Sequence, residues 1–192
     1  HSSVGASLGQ DALDTSLLAG IIGFVIIIVF MIAVYRLPGL AASLALIFYI
    51  TMELLLINIL DLTLTLPGIA GIVLSIGMAV DANIIIFSRV REEVLAGRTL
   101  RVAMRDGFKK ALSAILDGNI TTLIAAVVLY FFGSGTVRGF AQTLALGIVI
   151  SMFTALVVTR VIVSQFLVLL PNKTSLYCAS RRRTKEKEEV AK

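Results

Sequence analysis

Cysteine and histidine are almost absent: Cys178 and His1 are the sole examples in the chain. An internal disulfide is therefore impossible, Cys178 reads as a free cytoplasmic thiol, and a Cys/His metal site lacks its ligands. Charge is also scarce, at 15% of residues against roughly a quarter in soluble domains. Hydrophobic residues make up 58% and mean hydropathy is +0.98, more apolar surface than soluble packing could hide. Nothing resembles a nucleophile with its base, a phosphate-cradling loop or a set of metal ligands, so neither bond-making catalysis nor a bound cofactor is expected. No basic segment precedes the first apolar run, as a signal peptide would require. The net charge of +5 and pI near 9.7 come with no nucleic-acid-binding motif, which argues against a nucleic-acid partner. The basic residues instead lie in blocks beside apolar segments, the pattern that orients membrane proteins.

What is present is a series of apolar runs. Residues 16–35 are long enough to cross roughly 30 Å of hydrocarbon as a helix. Leu37-Pro38-Gly39 is expected to break that helix in a tight turn. Residues 40–59 form a second run, which carries Glu53, and a polar stretch follows to Thr65. The third run covers about 67–87, with Pro67 in the first helical turn, and continues into charged residues 88–93. In residues 95–116, Leu100, Met104, Phe108, Ala111 and Ile115 recur at helical spacing beside a strip of Arg101, Arg105 and Lys109. This predicts an amphipathic helix in the cytoplasmic membrane interface. A short fourth run, 119–132, ends at Gly133-Ser134-Gly135, and a fifth, about 137–170, is long enough to span with a tilt. The expected fold is therefore an all-α membrane protein with five transmembrane helices plus that interfacial helix, over residues 16–170. Residues 1–15 read as an external flank whose start, His1-Ser2-Ser3, resembles a tag remnant, and the basic tail 171–192 as disordered.

Alternate loops differ sharply in Lys and Arg. Sixteen of the seventeen fall on one side, and Arg138 alone on the other. The long basic loop and the C-terminus should then face the cytoplasm, with the N-terminal flank outside. Five spans with an external start look like the end of a longer protein.

Two acids lie within spans. Asp81 sits about 14 residues into the third run, roughly 20 Å from its outer end at 1.5 Å per residue. An ionised carboxylate there costs several kcal/mol unless paired or wetted, so Asp81 reads as a reversible proton site, the element a proton relay requires. The competing reading is a neutral carboxyl that locks helices together. Gly68, Gly71, Ser75 and Ala79 form a small-residue strip, with Gly77 one turn before Asp81, so Asp81 is expected to face protein rather than lipid. Asn83 should point to another sector and bond another helix. Asn119, Thr121 and Thr122 fall near the depth of Asp81 and could bond it or a water wire beside it. Equally, Asp117 and Asn119 could cap a helix while the threonines bond their own backbone, and Ser151, Thr154 and Thr159 admit the same two readings. Glu53, in the outer third of its span, is expected at an external aqueous cleft, with a second proton-carrying role as the alternative.

The residues also carry a resemblance. Leu66-Pro67-Gly68-Ile69-Ala70-Gly71, Gly77-Met78-Ala79-Val80-Asp81-Ala82-Asn83, Arg89-Val90-Arg91-Glu92-Glu93, Asn119-Ile120-Thr121-Thr122 and Ser151-Met152-Phe153-Thr154-Ala155 resemble the C-terminal membrane half of the SecD/SecF family, on its SecD rather than its SecF side. The likeness runs in order over about residues 4–170. It implies a relative of the resistance-nodulation-division transporters in the bacterial inner membrane, using the proton motive force in late steps of Sec protein export. The partners implied are SecF, the Sec channel subunits, the exported precursor polypeptide and the lipid bilayer. The chain would hold spans two to six of a six-helix half, without the first span or the external domain. The relay aspartate is Asp81, protons are the coupling ion, and the cationic partner is an arginine of SecF. A non-conducting scaffold for the channel or insertase, or a small-molecule or lipid exporter, are the alternative functions.

Overall fold

The computed structural model describes the backbone over residues 6–169 and side chains over 14–165. The tag-like start, Cys178 and the tail from 171 onward lie outside the described residues. Within them every regular element is a helix: α1 (Ala6–Tyr35), α2 (Leu37–Ile59), α3 (Leu66–Leu95), α4 (Leu100–Phe132), α5 (Thr136–Phe153) and α6 (Thr159–Leu169). A π-helical turn, Thr154–Val158, joins α5 to α6 without a break, so the two act as one span. Among the described residues five helices are long and apolar enough to cross a bilayer. This is the architecture of a multi-pass membrane protein.

α3 is the centre of the bundle, packing most extensively on α5 and α4, while α1 rests mainly on α2. Ala42, Leu46, Tyr49, Ile86, Phe108 and Ile115 belong to the principal core. Outward, α1 shows Leu17, Leu18, Ile21, Ile22, Val25 and Ile26, a surface suited to acyl chains rather than water.

The break after the first span differs from the expected Pro-Gly turn. One residue, Arg36 at φ 52°, reverses the chain, and Pro38 and Gly39 lie inside the first turn of α2. Proline is tolerated there because its missing N–H would have had no intrahelical partner. Gly39 is needed for packing: a Cβ would run into the Met31 carbonyl of α1.

The amphipathic stretch also departs from expectation. It is no separate interfacial helix but the first half of α4, continuous with the fourth span. Its stripe of Leu100, Met104, Phe108, Ala111 and Ile115 is buried in protein, in clusters shared with Phe87, Val90 and Val94 of α3. At Gly107 a Cβ would lie 2.8 Å from the Val90 Cα, so the two backbones nearly touch. A strip that meets a partner helix has no reason to lie in the headgroup plane. The Glu93 carboxylate, 6% exposed, fastens this contact by accepting from Lys110 and from Arg98 Nε at 2.8 Å. Arg98 also bridges to Asp106 at 2.8 Å.

Candidate functional site

α3 starts cleanly because Thr65 caps it, its hydroxyl accepting the Gly68 N–H at 3.1 Å. From Leu66 the helix carries Asp81 to its middle, roughly 22 Å along at 1.5 Å per residue. Asp81 is exposed, at a shallow cavity of about 220 Å³ between α3 and α4. Asn119 and Thr122, with Ala114, Ile115 and Gly118, line the α4 side. Among the described residues Asp81 is the one charged group lining that cavity.

Asp81 does not face the protein interior as its small neighbours suggest. Gly68, Gly71, Ser75 and Ala79 are buried, but Asp81 lies two residues beyond Ala79, about 200° around the helix. It shares instead the face of Gly77, where a Cβ would meet nothing within 4 Å. α3 therefore has a packed small-residue face toward α5 and an open one bearing the acid.

Asn83 does turn inward. It is 3% exposed, donates to the Ala79 carbonyl at 3.0 Å, and accepts from the Thr159 hydroxyl of α6 at 2.9 Å. Thr159 directly follows the π turn, where the buried Thr154 hydroxyl has no hydrogen-bond partner among the described residues. Asn119, Thr121 and Thr122 bond carbonyls four residues back, those of Ile115, Asp117 and Gly118, at 2.8–2.9 Å. Thr121 does not line the Asp81 cavity, whereas Asn119 and Thr122 do. Ser151 likewise bonds its own helix, at Ile148.

Glu53 overturns the expectation of an aqueous cleft, since it is 0% exposed. The reason lies in α2, whose inward stripe runs Ala42, Ala45, Leu46, Tyr49, Glu53 and Ile57 at helical spacing. Ser75 of α3 donates to Glu53 Oε1 at 3.0 Å, and the Tyr49 hydroxyl donates to Ser75 at 2.7 Å. Gly147 of α5 closes the third side, where a Cβ would stand 2.8 Å from Glu53 Oε1. The other oxygen, Oε2, has no hydrogen-bond partner among the described residues. Sequence reading missed Tyr49 in this cluster, although its place one turn before Glu53 was visible. No grouping of His, Cys, Asp and Glu among the described residues could hold a metal.

The family model for the C-terminal part of protein export membrane protein SecD/SecF matches residues 1–168. The chain belongs to the SecD/SecF family. On its SecD side, the chain is 52% identical over 171 residues to the protein translocase subunit SecD of Synechocystis, covering 89% of this chain and 36% of the relative. The SecD subunit of Acidaminococcus fermentans is 53% identical over 162 residues, covering 84% and 39%. The chain thus spans between a third and two fifths of these SecD relatives. Among solved structures, a crystal structure of SecDF from Thermus thermophilus, described as a translocon-associated membrane protein, superposes with a TM-score of 0.83 at 43% identity. It covers 85% of this chain and 23% of that one. The chain is therefore a SecD C-terminal membrane region, and the five-helix fold is that of the SecDF membrane domain.

Proposed function

We propose that the chain serves the bacterial Sec protein-export machinery as a membrane subunit in which Asp81 carries a proton, coupling proton flow to late steps of polypeptide translocation together with SecF. The carrying observation is the site of Asp81: a carboxylate midway along a spanning helix, at a cavity, on a face the described residues leave open. Acids within membranes sit against water-filled cavities or paired groups, because hydrocarbon solvates them poorly. Among the described residues no cation lines the cavity, and a partner covering that face or water filling it would meet the need of the acid. Gly77 and Gly118 on the same side leave room for a close helix, the packing small residues permit in membranes. SecF, bringing an arginine, fits that requirement.

On this reading Asn119 and Thr122 flank the proton path, and Asn83 with Thr159 holds the far side of α3. Glu53 acts as a buried packing acid beside the path rather than on it. The protein is a proton-driven transport subunit, not an enzyme, and needs no cofactor beyond the coupling protons. It sits in the inner membrane, with the basic end of the bundle and the C-terminus in the cytoplasm and the N-terminal flank outside, in keeping with the Lys and Arg asymmetry. Its further partners are the Sec channel and the precursor polypeptide.

The test is export of a secreted precursor in cells that carry Asp81→Asn in the full-length subunit. Loss of the proton-motive-force-dependent component with normal subunit levels supports the relay. Undiminished export would leave a non-conducting scaffold as the better account.

A further inference from the structure

A larger cleft, about 540 Å³, opens at the basic end of the bundle between the first half of α4 and the π turn with α6. α4 contributes Arg105 and Lys109, and α6 contributes Arg160. Phe108, Leu112 and Leu156 supply an apolar lining. Asp106 also lines it, but its carboxylate already accepts from Arg98 at 2.8 Å and Arg105 at 3.3 Å. Among the described residues neither Lys109 nor Arg160 has an acidic partner. Three cations therefore converge on one cleft with one carboxylate, itself shared with a fourth cation outside it.

The placement of Arg160 follows from the chain path. It comes just after the π turn Thr154–Val158, whose extra residue rotates the following helix by roughly 100°. The turn thus sets which side of the span carries Arg160. Like charges held together repel, and an anion between them removes that cost. The apolar lining of Phe108, Leu112 and Leu156 thus offers a wall for hydrocarbon beside a seat for negative charge.

We propose that this cleft binds an anionic phospholipid, its headgroup phosphate between Arg105, Lys109 and Arg160 and an acyl chain along Leu112 and Leu156. Basic pockets between spanning helices suit such headgroups, and interfacial cations attract anionic lipid. Free phosphate would use the cations but not the apolar wall. The chain's own tail is a poor occupant, since residues 171–192 hold seven Lys and Arg against three Glu.

Native mass spectrometry of the detergent-solubilised full chain, titrated with phosphatidylglycerol, phosphatidylcholine or inorganic phosphate, tests this. Phosphatidylglycerol should bind first and most tightly. Lys109→Gln with Arg160→Gln should weaken it about 20- to 30-fold, at about fivefold per cation. Arg89→Gln with Arg91→Gln, which removes two exposed cations away from the cleft, should change it less than threefold. If the double variant fails to fold, Lys109→Gln alone, at an exposed position, must still weaken binding about fivefold. Equal weakening by both pairs would overturn the site as diffuse surface charge. Equal binding of phosphatidylcholine would reduce it to an apolar groove, and equal binding of phosphate would make it a free-anion site.

Discussion

Replacing Gly147 by alanine places a methyl group where α2, α3 and α5 converge. The added Cβ would stand 2.8 Å from Glu53 Oε1 and closer still to Ser75. Ser75 cannot simply rotate away, because its Cβ is itself among the clashing atoms and rotation leaves it in place, while its single hydroxyl proton is shared between the Ile72 carbonyl and Glu53. Either α5 retreats or the hydrogen bonds break. Overpacking of this kind costs about 1–3 kcal/mol. Alanine also favours helix over glycine by about 1 kcal/mol, which would mask part of the loss. Gly77→Ala supplies the reference, since it makes the same change on a spanning helix with nothing within 4 Å of the new Cβ. The propensity gain cancels between the two variants, which leaves the steric term. Equilibrium unfolding in mixed detergent should therefore find Gly147→Ala less stable than Gly77→Ala by about 1–3 kcal/mol. Equal stabilities would refute the packing described around Glu53.

Other outcomes follow from the same contacts. Thr159→Val removes the hydroxyl that donates to Asn83 and leaves that buried amide oxygen without its donor, so stability should fall by about 1–3 kcal/mol in the same unfolding assay. Glu93→Gln should cost about 1.5–3 kcal/mol by weakening the buried end of the α3–α4 clamp. Glu92→Gln, whose pair with Arg89 is exposed, should cost less than about 1 kcal/mol in thermal denaturation. Glu53→Gln keeps the shape of its site and should retain proton-dependent precursor export, measured beside Asp81→Asn; a loss equal to that of Asp81→Asn would place Glu53 on the proton path.

The spans were legible because lipid demands long uninterrupted apolar runs, and their number follows from composition and length alone. The depth of Asp81 was legible for the same reason. Its facing was not, because Gly77 and the buried strip Gly68, Gly71, Ser75 and Ala79 are both small and differ only in which has a neighbour. Hydropathy also misjudged Glu53: an acid in the outer third of a span looks solvated until Ser75 and Gly147, far away in sequence, are seen to enclose it. The continuity of α4 was hidden by the charges on its first half, which suggested a headgroup plane. The buried Val90 contact at Gly107, which no local pattern announces, decides that the apolar side meets α3. Asn83 and Thr159 are 76 residues apart, and only the fold brings them to 2.9 Å.

The central claim is that Asp81 moves a proton. Its most direct test is proton flux, read with a trapped pH-sensitive dye in vesicles holding the full-length subunit with SecF under an imposed pH gradient. The relay predicts flux with the native carboxyl and its reduction to the protein-free leak in Asp81→Asn. Flux through Asp81→Asn equal to the native level would contradict it.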